Sequence, residues 1–169
     1  MTTVNTGKAE QVLLRLRSAT INDARTVFAW RNDTWIVSLS ASQRKVSEDE
    51  HARWFSEALN RDKHLLFIIR TDAGIEAGTV RLDKAGEVKA DITIYMLQPH
   101  TGRGLGVRAL MEACRFAFAE WPLLRSIHAF IRQENDMSRK AFSKAGFIPA
   151  DPSPDCPPGH CEMVLQRKP

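Results

Sequence analysis

The stretch that decides the fold is Ile92-Thr93-Ile94-Tyr95-Met96-Leu97-Gln98-Pro99-His100-Thr101-Gly102-Arg103-Gly104-Leu105-Gly106. It starts as an alternating β-branched strand, runs through a turn containing proline, and reaches three glycines at alternate positions. A helical period takes over immediately afterwards, with Val107, Leu110, Met111, Cys114 and Phe118 on one stripe and Arg108, Glu112 and Arg115 off it. Glycines at this junction let a backbone come close to a bulky anion, and the free N–H groups and positive end of the helix dipole can hold it. No Gly-Lys-Ser/Thr follows, so this is not a Walker loop, and the preceding strands read as a meander rather than the crossover unit of a dinucleotide fold.

Upstream, turn signals at Asp72-Ala73-Gly74 and Lys84-Ala85-Gly86 separate apolar runs at His64–Arg70, Ile75–Leu82 and Glu87–Leu97, which predicts a three-stranded antiparallel meander. Before it, Leu13–Arg17 reads as a short strand and Asn22 or Asp23 caps a helix carrying Ala24, Val27, Phe28 and Arg31. Ser47-Glu48-Asp49-Glu50 is a capping box opening a second helix to about Leu59, with Trp54, Phe55, Ala58 and Leu59 on its apolar side. Downstream of the helix that ends near Pro122, Arg125–Ile131 predicts a strand, Asp136–Ala145 a short helix, Gly146-Phe147-Ile148 the start of a strand and Cys161–Gln166 a last strand. Ala150–Gly159 holds four of the eight prolines and reads as a surface loop. The expected fold class is mixed α/β, a single domain over residues 1–169 with a flexible tail at 1–11.

The 169 residues are 43% hydrophobic and 26% charged, which excludes a disordered or collagen-like chain and allows one real core. The longest apolar run, Leu65–Ile69, is far short of the roughly 20 residues of a membrane span, and the polar N-terminal stretch has no signal core. Three cysteines are an odd number without framework spacing, which fits a cytoplasmic location. Cys156, His160 and Cys161 match no standard metal spacing, so no metal is expected. The net charge of +4 arises between Pro99 and Ile148, where eight Lys/Arg face four acids. A phosphate-bearing small molecule explains that excess as well as a polynucleotide does, and the aromatic strand motif of sheet-type RNA binders is missing.

Gly102-Arg103-Gly104-Leu105-Gly106 after a strand, with Asn135, Ser138, Phe142 and Gly146-Phe147 downstream, resembles the GNAT family of acetyl-CoA-dependent acetyltransferases. The resemblance spans about Leu13 to Gln166, and the order of elements agrees. It implies acetyl-CoA as cosubstrate, with its pyrophosphate on the amides of Gly102, Arg103, Gly104, Leu105, Gly106 and Val107. It further implies pantetheine and thioester along Tyr95–Leu97, including Leu97, with Asn135 and Ser138 on the pantetheine side. Two positions depart from the family pattern: Thr101 stands where Arg or Gln is usual, and Phe142 where a thiolate-protonating Tyr is common. Asp91 shares a strand face with Thr93 and Tyr95 and is the expected base, with Glu87 as substitute. Tyr95, the one tyrosine, is the candidate acid.

The segment Phe28-Ala29-Trp30-Arg31-Asn32-Asp33, with Ser38 and Glu50-His51, resembles the subgroup that acetylates UDP-linked 4-amino sugars, as in pseudaminic-acid biosynthesis. On that resemblance Arg31 and Asn32 would meet phosphate or uracil, and His51 the sugar or amine. The alternatives are a ribosomal-protein-type N-terminal acetyltransferase, a CoA-binding module without catalysis, and, last, a nucleic-acid binder. The expected chemistry is direct attack of the amine on the thioester, without a covalent enzyme intermediate. An unpaired last strand would offer a second copy an edge for a homodimer.

Overall fold

In a computed structural model of the chain, residues 14–168 are described; the tail expected at 1–11, and Leu13, lie outside them. The strands are β1 Leu14–Ser18, β2 His64–Thr71, β3 Glu76–Lys84, β4 Lys89–Met96, β5 Ser126–Arg132, β6 Ile148–Ala150 and β7 His160–Gln166. The helices are α1 Ala24–Arg31, α2 Thr34–Leu39, α3 Glu48–Ala58, α4 Leu105–Glu120 and α5 Asp136–Lys144. All seven strands form one sheet in the order β1-β2-β3-β4-β5-β7-β6, antiparallel except for β4 and β5. This is the mixed α/β class that the sequence predicts.

Two features differ from the sequence reading. α2 was not anticipated: Asp33 caps it by accepting from the Trp35 amide at 2.9 Å, inside a Trp-Ile-Val run whose β-branching hides a six-residue helix. The last strand is no free edge. β7 inserts between β5 and β6, so the edges are β1 and β6, and the expected dimer edge is already paired.

The two faces of the sheet are filled differently. One packs Leu65, Phe67, Ile69, Val80, Leu82, Ala90, Ile92, Ile127, Ala129 and Ile131 against α4 and α5. α4 approaches closely because its inward positions are Leu105, Ala109, Leu110, Ala113, Cys114 and Ala117. The expected stripe is therefore rotated: Met111 is 54% exposed, and alanines take the place next to the sheet. On the other face α1 and α3 cover β2 through Val27, Phe55, Ala58, Leu66 and Ile68, and reach β3 where Arg81 lies over the Trp54 ring. Beyond β3 this cover ends, and β5 alternates strictly between buried and half-buried residues. The half-buried row, Ser126, His128, Phe130 and Arg132, shares its side of the sheet with Lys89, Asp91, Thr93 and Tyr95 of β4.

Candidate active site

β4 and β5 pair only at Lys89–Ser126, Ala90–Ile127 and Asp91–His128, although β4 continues to Met96 and β5 to Arg132. Beyond Asp91 the two strands part, and a cleft opens between them. The Leu97 amide donates to the Ala77 carbonyl at 2.8 Å, while the Val88 carbonyl accepts from the Arg125 amide at 2.8 Å. Backbone alternation then sends the odd-numbered peptide groups of β4 toward β3 and the even-numbered ones toward β5. Ile94 and Met96 therefore present their backbone groups to the cleft.

Leu97 does not take the part expected of it. Its N–H is held by Ala77 and its carbonyl accepts from the His100 amide at 2.9 Å, so the polar edge belongs to Ile94 and Met96. Gly78 sits opposite Met96, and a Cβ there would lie 2.2 Å from the Tyr95 carbonyl oxygen. Only glycine allows β3 and β4 to meet this closely at the point where the cleft opens.

Leu97 leads into a short 3-10 turn, Gln98–His100, and Thr101 caps its own turn by donating to the Gln98 carbonyl at 2.8 Å. Gly102 and Gly104 both have positive φ, +75° and +76°, and nothing lies within 4 Å of either Cβ position. α4 begins at Leu105 with Gly104 as its N-cap, two residues earlier than the period indicates, and its first helical bond runs from the Arg108 amide to the Gly104 carbonyl. The amides of Gly104, Leu105, Gly106 and Val107 thus have no acceptor within the helix. With Gly102 and Arg103 leading in, this makes a glycine-lined cradle for an anion at a helix N-terminus. A Cβ at Gly106 would lie 3.5 Å from the Met96 side chain, so the first turn of α4 sits beside the end of β4, joining cradle to cleft.

On the far side, Asn135 caps α5 by accepting from the Ser138 amide at 3.1 Å, which leaves the side-chain Nδ2 as its donor. Phe142 is 3% exposed and packs edge-on to Phe147, ring centres 5.0 Å apart, so the position where the family often has tyrosine is a core position here.

The half-open face holds the titratable groups. Asp91 is half-buried, and burial pushes its carboxyl above the usual carboxylate range against the opposing pull of Lys89 and His128. Its Oδ1 is buried and makes no hydrogen bond, the nearest charge being Lys89 Nζ at 3.9 Å. The neighbouring acids are all engaged: Asp83 with His64 at 2.7 Å and Arg81 at 2.8 Å, Asp155 with Lys89 at 3.0 Å, Glu162 with His128 at 2.6 Å. Tyr95 points to the same face. Its hydroxyl is buried without a hydrogen-bond partner, and burial raises its pKa, so it stays protonated. Glu87 lies in the turn before β4, outside this face.

The residues expected to grip a nucleotide sugar are used internally. Asn32 pairs with the Val46 backbone in both directions, at 3.0 and 2.8 Å, consuming donor and acceptor. Arg31 holds the same loop through the Arg44 carbonyl at 3.2 Å and Ser42 Oγ at 3.1 Å. His51 is 5% exposed, ringed by Phe28, Trp54 and Phe55, with Nε2 at 2.9 Å from the Ala24 carbonyl. It is a core residue, and the expectation of substrate contact does not hold.

Sequence reasoning missed the bridge over the cleft. Trp35 Nε1 donates to the Met96 carbonyl at 3.3 Å, and the Ser38 carbonyl accepts from Arg132 at 3.4 Å, so α2 touches both diverging strands. The signal, an Asp-Thr-Trp cap, is present but short.

Among the described residues there is no group of three side chains able to hold a metal ion, and no helix is long and apolar enough to cross a membrane.

Residues 14–148 match the family described as Acetyltransferase (GNAT) domain. The candidate phosphinothricin acetyltransferase YwnH of Bacillus subtilis (strain 168) is 31% identical over 143 residues, covering 79% of this chain and 83% of its own. Among solved structures, the spermidine N-acetyltransferase of Vibrio cholerae with CoA and spermine superposes with a TM-score of 0.76 at 18% identity, covering 90% of this chain and 95% of that one. The aminoglycoside acetyltransferase AAC(6')-Ib with coenzyme A gives 0.78 at 18%, covering 92% and 95%.

Proposed function

Since the chain belongs to the GNAT family of acetyl-CoA-dependent N-acetyltransferases, we propose that it acetylates the primary amine of a small acceptor, with Asp91 as base. The observation that carries this reading is the meeting of three features at one place. β4 and β5 part just after Asp91, the glycine cradle faces the same opening, and Asp91 Oδ1 is the carboxylate oxygen there without a hydrogen bond.

In this reading the amides from Gly102 to Val107 hold the pyrophosphate of acetyl-CoA. The Ile94 backbone and the Met96 amide align the pantetheine arm, the Met96 carbonyl being held by Trp35, and the Asn135 Nδ2 steadies the arm, with Ser138 at the same helix end. Asp91 binds the incoming ammonium and takes a proton; the raised carboxyl pKa suits that work. The amine attacks the thioester carbon, the C–S bond breaks, and Tyr95 is the protonated group at hand for the thiolate. Phe142 cannot substitute for it.

The acceptor is small and carries a single ammonium, because Asp91 Oδ1 lacks a hydrogen bond while Asp83, Asp155 and Glu162 are each held by a close partner. YwnH is named for an acceptor of this size. A UDP-linked 4-amino sugar is the finer reading from the sequence, and its expected donors, Arg31 and Asn32, are spent on the loop before α3. A protein N-terminus would need an extended groove, which the bridge from α2 across the cleft does not favour.

The test is CoA release over a panel of phosphinothricin, spermidine, an aminoglycoside, a UDP-linked 4-amino sugar and an N-terminal peptide, together with thermal unfolding in acetyl-CoA. Saturation at 100 times Kd adds about 2.7 kcal/mol of stability. Turnover confined to the nucleotide sugar or the peptide would overturn the acceptor assignment. Stabilisation by acetyl-CoA without turnover on any amine would favour a binding module.

A further inference from the structure

Acetylation of an ammonium removes two protons from nitrogen. The N–C bond forms and the C–S bond breaks; one proton ends on the thiol sulfur and the other leaves for solvent. Asp91 holds one of them and must pass it on before the next turnover, and a group beside it can receive it.

Next to Asp91, across the last paired rung of β4 and β5, stands His128. Its Nδ1 lies 2.6 Å from Glu162 Oε1, and its Nε2 lies 2.9 Å from Ser126 Oγ. Glu162 is 2% exposed, and its second oxygen accepts from the Ser153 amide at 2.6 Å. Burial alone would raise this carboxyl, but the Ser153 amide and the His128 ring hold it below its usual range, so it is ionised. In the neutral ring an ionised Glu162 places the hydrogen on Nδ1 and leaves Nε2 as the acceptor.

A structural role does not account for this carboxylate. A neutral amide would accept from Ser153 and bond His128 at less desolvation cost. What a carboxylate adds is a negative charge that balances an imidazolium, and that matters only if the ring takes up a proton. The other charges facing the ring are Asp91 and Lys89 from β4 and Asp155 from the 151–159 loop, with Asp83 one strand further along the row.

We propose that Ser126, His128 and Glu162 form a proton-accepting chain that serves Asp91, with His128 taking up the proton Asp91 releases in each turnover. The proton reaches Nε2 through a bridging water, since Asp91 Oδ1 makes no hydrogen bond to the ring or to Ser126. The bond to Ser126 then reverses, with Nε2–H donating to Oγ, and Glu162 neutralises the ring until the proton passes to solvent. Glu162 is the positioning residue of the set. The inference rests on Asp91 being the base.

The experiment uses the full chain with an amine that it turns over. His128→Gln keeps two polar ends but cannot be protonated. It is expected to lower kcat about tenfold or more while leaving KM for acetyl-CoA unchanged, and added imidazole should restore part of the rate. The solvent-isotope proton inventory should change from curved in the parent to linear in the variant. Ser126→Ala, which leaves the buried pair intact, should give a smaller loss of the same kind. Parent-like kcat and proton inventory in His128→Gln, with Asp91→Asn inactive, would overturn this inference and leave the Asp91 reading standing. If both variants behaved like the parent, the Asp91 reading would fall with it. An acetyl group on Ser126 in intact-mass analysis would also overturn it, because the serine would then be a nucleophile.

Discussion

The two faces of one sheet have been built for opposite ends. Against α4 and α5 the inward residues are aliphatic or aromatic and buried from β2 to β7. On the other face the apolar helix cover stops short of β4, and from there on the row carries Lys89, Asp91, Thr93, Tyr95, Ser126, His128, Phe130, Arg132 and Glu162. A charge costs several kcal/mol to bury and a methylene gains about 0.8, so helices that covered the second face fully would extinguish the chemistry the first face supports. The difference supports the proposal that the missing cover over β4 and β5 is itself the site.

The largest break in that contrast comes from the carboxylate whose Oδ1 lacks a hydrogen bond. Asp91→Asn should cut kcat by about 10²–10⁴-fold, the usual worth of a general base, with the acetyl-CoA thermal shift retained. Gly78→Ala tests where the two faces meet. Its Cβ would fall 2.2 Å from the Tyr95 carbonyl, so the strands must move apart, and about 1–3 kcal/mol should be lost in denaturant unfolding.

Phe142→Tyr asks whether the apolar face can be taught chemistry. The ring is buried edge-on to Phe147, so the added hydroxyl should cost about 1–3 kcal/mol and CoA release should not rise. Gly104→Ala separates backbone strain from ligand approach. Its Cβ meets no protein atom, so unfolding should register only the left-handed φ, about 1–2 kcal/mol, and any larger loss in acetyl-CoA affinity belongs to the cradle.

The smallest effect is a gain. Because burial raises the Asp91 carboxyl, ionised Asp91 destabilises the folded chain at any pH above its folded pKa, and stability returns as pH falls through that value. Asp91→Asn should therefore raise the thermal midpoint at neutral pH, and its advantage over the parent should shrink on acidification. An unchanged midpoint at neutral pH would show that Asp91 carries no burial penalty.

How legible all this was in the sequence follows the same division. The apolar face could be read, because periodicity reports burial: Leu65–Ile69, the α4 register to within a turn, and the strand–glycine–helix junction are all patterns of adjacent residues. The polar face could not. Asn32, Arg31 and His51 have the chemistry of ligands, yet Val46, Ser42 and Ala24 claim them, and those contacts join residues ten or more positions apart. His128 gives no sign of a role in the sequence, because nothing near it announces Glu162, thirty-four residues on. α2 escaped because a six-residue helix holding Trp35, Ile36 and Val37 is too short and too β-branched to show a helical period.

The place of β7 has a consequence during synthesis. As the ribosome delivers the chain, β5 emerges with three rungs of β4 for a neighbour, and its other edge stays bare until residues 160–166 follow. By then the chain has already made β6, which also waits on β7. The sheet's later half therefore cannot zip in order of translation; it must hold two strands apart and accept a third between them. Such non-local pairing is slow and leaves aggregation-prone edges exposed. An mRNA truncated before codon 160 would yield a chain whose helices can form but whose second half, including the partner of His128, never closes.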